Sequence, residues 1–344
     1  QWRPCGMGTG TLARISGKQP GRTILLRGDI DALSVKEETG LPYASTNPGV
    51  MHACGHDCHI SMLLTAVHMI HDIQDQLKGT VVFAFQPAEE IGRGAQSMIA
   101  EGALEGVDAC FGMHVWSDVA AGKVAMRKGA MMASGDRFKV KVIGKSGHGA
   151  QPQRAVDAVV MGAAIVQNLQ SLVSRELDPI DTAVVTVGKF TGGTRFNVIA
   201  GTAELEGTTR AFNPEVRNSF AERITRIAKS TAEAMRGTAE VEYEYLVPVT
   251  INDPKMIDVA AGAAKKIFGE DGVLEAPQMM GGEDFSYYQE KIPGAMVLLG
   301  VRNEALGAVW PQHHGCYRVD ESVLVKGAAL HVQTALDFLG VELH

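Results

Sequence analysis

Thr23-Ile24-Leu25-Leu26-Arg27-Gly28-Asp29-Ile30-Asp31 begins as a short apolar run and breaks into charge at its carboxyl end. A run that is continuous rather than alternating fits a strand covered on both faces. Three further stretches have a similar build. Thr80 to Phe85 leads into Gln86-Pro87-Ala88-Glu89-Glu90, Val107 to Gly112 into Met113-His114, and Ala295 to Leu299 into Gly300. Helical spacing fills the gap between the first two, from about His59 to Gln76. This β–α–β rhythm predicts a mostly parallel sheet. In three of the four runs, charged residues or His follow the apolar stretch, at the sheet edge where open α/β folds bind ligands.

The middle of the chain changes period. Phe138 to Val142, Ala203 to Thr208 and Val241 to Tyr245 alternate apolar and polar residues, as strands with one wet face do. Two helical patterns interleave with them, about Ala155 to Ser174 and Pro214 to Met235. The expected organisation is therefore an α/β domain, residues 1–132 and 247–344, interrupted by a smaller α+β domain of antiparallel sheet and two helices, residues 133–246. A closing helix is expected from about Asp320 to Leu339.

The 344 residues suit two domains, and 45% hydrophobic content can bury a large core. A net charge of −7 with scattered Lys and Arg excludes nucleic acid and anionic membrane as main partners. No apolar run is long enough to span a bilayer, and no signal peptide opens the chain. Gln1 in place of Met implies a processed or partial chain. Five widely spaced cysteines do not make a disulfide framework, and a cytoplasmic setting is expected.

The chemistry concentrates in His52-Ala53-Cys54-Gly55-His56-Asp57. Thiolate, imidazole and carboxylate hold zinc and other divalent transition metals, and the glycine lets the backbone turn tightly enough for its neighbours to converge. The competing reading is a buried Cys beside structural histidines. Glu89-Glu90, just past a buried strand, would be costly pointing inward without a cation. One could bind metal and the other act as a general base on water, unless the pair simply opens a solvated helix. His114 and the His313-His314 pair are weak signals singly. Together these residues converge on a metal centre. Gly6-Met7-Gly8-Thr9-Gly10 lacks the strand before and helix after it that a dinucleotide site needs, and no Gly-x-Ser-x-Gly elbow supports a serine hydrolase.

The order of these motifs resembles the M20 metallopeptidase family, in its aminoacylase, hippurate hydrolase and auxin-conjugate hydrolase branch. Further matching stretches are Gly144-Lys145-Ser146-Gly147-His148, Asn197-Val198-Ile199, Gly207-Thr208-Thr209-Arg210, Gly282-Glu283-Asp284-Phe285 and His313-His314 leading to Val319-Asp320-Glu321. The resemblance implies a catalytic domain carrying an inserted dimerisation domain, and two divalent ions (Zn, Mn, Ni or Co). Cys54 would bridge the ions, where most relatives use Asp. His56 and His114 would complete one shell, Glu90 and His313 the other, with His314 the runner-up. Glu89 would be the base. His148 would reach across a homodimer, or a higher homo-oligomer, to polarise the scissile carbonyl. Asn197 and Arg210 would hold the substrate, and Asp31 would orient a ligand. The implied reaction is hydrolysis of an N-acyl amino acid to a carboxylate and a free amino acid; the alternative is a dipeptidase or carboxypeptidase with the same site. The sequence departs from the family pattern at Gln153, at Gly315 and in the short segment ahead of Thr23.

Overall fold

In the computed structural model, which describes residues 1–342, the opening run forms the carboxyl half of a long strand. It belongs to an eight-stranded sheet whose first six strands in chain order are β1 (Trp2–Pro4), β2 (Thr11–Ser16), β3 (Gln19–Asp29), β4 (Lys78–Gln86), β5 (Ala109–Ala120) and β6 (Val124–Met126). Val273–Glu275 and Gly294–Arg302 complete it. The spatial order is β1, β2, β4, β3, β5, Gly294–Arg302, β6, Val273–Glu275. The centre is parallel: β3 pairs with β4 and β5, and β5 with Gly294–Arg302. Antiparallel pairs join β1 to β2 and β2 to β4. From Thr23 onward β3 is buried at every residue, because helices cover the sheet. Met62, Leu63 and Ile70 of helix α1 (His56–Asp72) pack with Leu26, Phe83 and Phe111 in one apolar core, which also takes in helices Pro254–Phe268 and Leu324–Leu339.

The chain divides into two compact units. The larger comprises residues 1–131, 250–278 and 284 onward; the smaller comprises 132–249 and 279–283. The smaller unit holds the alternating strands in a four-stranded antiparallel sheet, ordered Ala183–Gly192, Thr202–Ala211, Gly135–Ile143, Thr238–Val247. Helices Ala158–Ser171 and Pro214–Ala234 pack on one face through Phe138, Val140, Leu205, Ile165 and Phe220. The wet side chains of these strands form cross-strand ion pairs such as Lys139–Glu204 and Lys141–Glu240. Both helices begin where side chains cap them: Asp157 accepts from Val159 N and Val160 N, and Asn213 from Glu215 N ahead of Pro214 at the first turn.

Local details differ from the sequence expectations. α1 begins at His56 rather than His59, because Gly55 takes the left-handed conformation (φ 83°) that turns the chain into the helix. The Gly6–Gly10 run does follow a strand, and a strand succeeds it. It closes the β1–β2 hairpin, with Cys5 N donating to Gly10 O at 3.0 Å. β5 does not stop at His114 but continues to Ala120. All five cysteines are free thiols. No helix among the described residues is long and apolar enough to cross a membrane.

Candidate metal centre

The parallel register aligns the strand ends. Asp29, the last residue of β3, lies opposite Gln86, the last of β4, and Arg27 lies opposite Gly112 of β5. Asp31, Glu89-Glu90 and His114 therefore emerge along one edge of the sheet, and Gly55 brings in the start of α1. The turn after β4 is strained, since Ala88 has φ 58°. A non-glycine residue in this region costs about 1–3 kcal/mol and is characteristic of functional turns.

Two three-residue groups of ligand atoms converge here and share one member. Cys54, His56 and His114 form one; Cys54, Glu90 and His313 form the other, each with its ligand atoms within 4.8 Å of one another. Cys54 Sγ lies 3.4 Å from His114 Nε2, and His313 Nε2 lies 3.4 Å from Glu90 Oε1. His56 Nε2 and Glu90 Oε1 are buried with no hydrogen-bond partner. Glu89 joins His56 and Glu90 in a further group, and its Oε1 accepts from Asp284 N at 3.4 Å.

The surrounding hydrogen bonds fix how each imidazole faces the centre. His114 Nδ1 donates to Val115 O at 2.6 Å, which leaves the Nε2 lone pair toward Cys54. Burial, with His59 and His56 nearby, holds His114 well below the usual imidazole range, so it is neutral. Asp31 Oδ1 engages His56 Nδ1 at 3.2 Å, and its Oδ2 accepts from Glu90 N at 3.0 Å. Burial alone would lower His56, but Asp29 and Asp31 outweigh it and raise it to about 9. Burial pushes the Cys54 thiol upward, reinforced by the charges of Glu90, Glu89 and Asp29.

His59 falls in the same cluster, but neither of its nitrogens is open. Nδ1 donates to Asp29 Oδ1, and Nε2 accepts from Val115 N at 2.9 Å. Behind it lies a network that the sequence reading missed. Arg27, fully buried, bonds Asp29 at 2.7 Å, Asp284 at 2.9 Å and Gln86 at 3.0 Å. Gln86 and Ala95 N also donate to Asp284. Arg27 and its neighbours His56 and His59 hold Asp29 well below the usual carboxylate range against the pull of burial. The available signal was Arg27 itself, a charge inside an apolar run.

His313 and His314 diverge. His313 has φ 67°, its N donates to Ala53 O at 2.7 Å, and its side chain turns to Glu90. His314 stacks on Trp310, with centroids 4.3 Å apart and planes at 12°, and its Nδ1 accepts from Cys316 N. In the smaller unit, His148 pairs with Val198 in a two-stranded ladder, and Gly149 N donates to the carbonyl of Asn197. His148 and Asn197 are both exposed. Arg210 lies in the strand Thr202–Ala211 and donates to Thr209 O at 2.9 Å.

The sequence matches peptidase family M20/M25/M40 over residues 25–337. It is 39% identical over 335 residues to an N-acetyl-L-cysteine deacetylase of Bacillus subtilis, covering 97% of this chain and 79% of that protein. It is 38% identical over 336 residues to thermostable carboxypeptidase 1 of Saccharolobus solfataricus, covering 97% and 85%. Among solved structures, a Bacillus subtilis protein described as a dinuclear metal binding peptidase of the M20 family superposes with TM-score 0.85 at 35% identity, covering 98% of this chain and 86% of that one.

Proposed function

Since the chain belongs to peptidase family M20/M25/M40, we propose that it is a two-metal amidohydrolase that cleaves N-acyl amino acids to a carboxylate and a free amino acid. The observation that carries this reading is the pair of ligand groups sharing Cys54, in which His56 Nε2 and Glu90 Oε1 are buried without a hydrogen bond and make only longer ion-pair contacts, 3.5 Å to Asp29 and 3.4 Å to His313. Buried polar atoms normally find partners, and a divalent cation would satisfy both. It would also stabilise the Cys54 thiolate that its carboxylate neighbours otherwise oppose. One ion would be held by Cys54, His56 and His114, the second by Cys54, Glu90 and His313. The sulfur, nitrogen and oxygen set suits Zn, Mn, Ni or Co.

When bound, the ions would supply Lewis acidity toward the amide carbonyl and the attacking water. Glu89 takes a proton from that water on a carboxylate oxygen and returns it to the leaving nitrogen as the C–N bond breaks. Asp31 keeps Nδ1 of His56 engaged, so that Nε2 faces the centre. Residues 1–132 and 247–344 carry this catalytic machinery, and residues 133–246 dimerise. His148, Asn197 and Arg210, all in that inserted segment, contact the substrate: His148 by donating to the developing oxyanion in the partner copy, the other two by binding a carboxylate or carbonyl oxygen. The exposure of His148 and Asn197 supports these roles.

A second reading, cleavage of dipeptides or of carboxyl-terminal residues, has its support in the likeness to the Saccharolobus carboxypeptidase. A panel of N-acetyl and N-benzoyl amino acids beside unblocked dipeptides, with release of free amino acid as readout, separates the two. Turnover of neither class by metal-replete protein defeats both.

A further inference from the structure

β3 ends at Asp29, and its ladder with β5 runs only from Ala109 to Gly112. Beyond Gly112, β5 has no strand on that side, yet it carries His114. The peptide groups there need other partners, and side chains supply them. Val115 N donates to His59 Nε2 at 2.9 Å. Val115 O accepts from two donors, His114 Nδ1 at 2.6 Å and Gln312 Nε2 at 3.0 Å. Gln312 is itself held, its Oε1 accepting from Ser117 Oγ at 2.7 Å. The next residue in the chain is His313, whose backbone N is bonded to Ala53 beside Cys54.

One carbonyl thus anchors a ligand of each proposed ion: directly for His114, and through Gln312 for His313. Resting on the two-metal reading, we infer that Gln312 is a positioning residue that couples the two ligand groups through the Val115 peptide. Its loss leaves His114 on Val115 O and leaves His59 on Val115 N, so the first group keeps its orientation. The His313 arm loses its link to β5, while the Ala53 contact remains. The second ion should therefore weaken far more than the first.

The test is titration of the chelator-stripped full chain with Co2+ alone, followed by calorimetry and by cobalt absorption. Wild type should bind two ions. Gln312→Leu should bind the first ion within about threefold of wild type and the second about tenfold more weakly, as losses of such supporting contacts typically do. Gln312→Glu keeps the Ser117 contact but cannot donate to Val115 O, and should behave like Gln312→Leu. Unchanged affinity for both ions in Gln312→Leu, or wild-type binding by Gln312→Glu, overturns the inference. Equal weakening of both ions overturns it too, since general loosening would do that. Ser117→Ala removes the outer support without touching the loop and should give a smaller loss at the second ion; it carries the test if Gln312→Leu does not fold. Wild-type protein that binds no second ion sinks the two-metal reading itself, and this inference with it.

Discussion

Asp31→Asn tests whether the ligand shell is held from behind. Asp31 accepts two hydrogen bonds from two different donors, His56 Nδ1 at 3.2 Å and Glu90 N at 3.0 Å. Asparagine has the same shape but one acceptor oxygen, and its NH2 must face one of those donors whichever way it is turned. One bond is lost and an N–H is left against an N–H. For a bond to a charged group this costs about 1.5–3 kcal/mol, which at 1.4 kcal/mol per tenfold is roughly 10–100-fold. That range coincides with the usual effect of a supporting residue on metal affinity. Because His56 and Glu90 belong to different ligand groups, the ion whose ligand loses its bond should weaken more than the other. The assay is competition with a chromophoric chelator at fixed pH, alongside thermal unfolding of the metal-free protein. Unaltered affinity for both ions, with the whole loss appearing in the stability of the metal-free protein, would make Asp31 a folding residue and refute the reasoning.

Other outcomes follow from the same geometry. Glu89→Gln should retain both ions, measured by elemental analysis, while turnover falls by about 10²–10⁴-fold; near wild-type rates would remove Glu89 from the mechanism. A metal-replete crystal should hold two ions about 3.5–4 Å apart with Cys54 between them, and a Cys54 distant from both would contradict the shared ligand. Mixed His148→Ala and Glu89→Gln subunits, after proven exchange, should regain part of the activity if His148 serves the partner's site, and no recovery would confine it to its own chain. His331 is buried and held down to about 3 by burial and His59, against an ordinary 6.5, so it is neutral in the fold. The unfolded chain binds its proton first as pH falls, so the stability His331 lends is complete above about 6.5 and drains away down to about 3. At roughly 1.4 kcal/mol per pH unit the loss is capped near roughly 5 kcal/mol. His331→Phe should flatten the urea midpoint between pH 6.5 and 4, and an unchanged slope there would count against it.

The fold was readable where burial leaves a simple pattern. Strands covered on both faces appear as continuous apolar runs, such as Thr23–Leu26 and Thr80–Phe85, and the smaller sheet with its one wet face appears as alternation. β1 and β2 were not readable, because Trp2-Arg3-Pro4 is exposed and Arg14 interrupts Thr11–Ser16. The end of β5 was misplaced because His114 looks like a terminus, whereas its ring is accommodated inside the strand by the carbonyl of Val115. Arg27 and Asp284 are 257 positions apart, and nothing local announces such a partner. His59 carries the same ring as His56 three positions earlier, and only the amide of Val115 shows that its second nitrogen is occupied. His313 and His314 could not be told apart by chemistry; the left-handed backbone at His313 separates them.

These details divide the centre into two layers with opposite hydrogen-bond status. In the outer layer Arg27, Asp29, Asp284, Gln86 and His59 bond one another without any ion. That layer folds with the sheet, because its members sit on β3, β4 and α1 or pack directly against them. In the inner layer His56 Nε2 and Glu90 Oε1 are buried without a hydrogen bond, and Cys54 lies near carboxylates that oppose its ionisation. A buried group without its hydrogen bond costs about 1–3 kcal/mol, so the inner layer has bonding capacity that a cation would use. The ligands are kept from relaxing by collapse, since Asp31 ties His56 and Glu90, and the Val115 peptide, whose N–H is held by His59 of the outer layer, ties His114. The stability that cations add to this fold should therefore come chiefly from the inner layer. Their affinity should depend on how rigidly the outer layer holds the ligands apart.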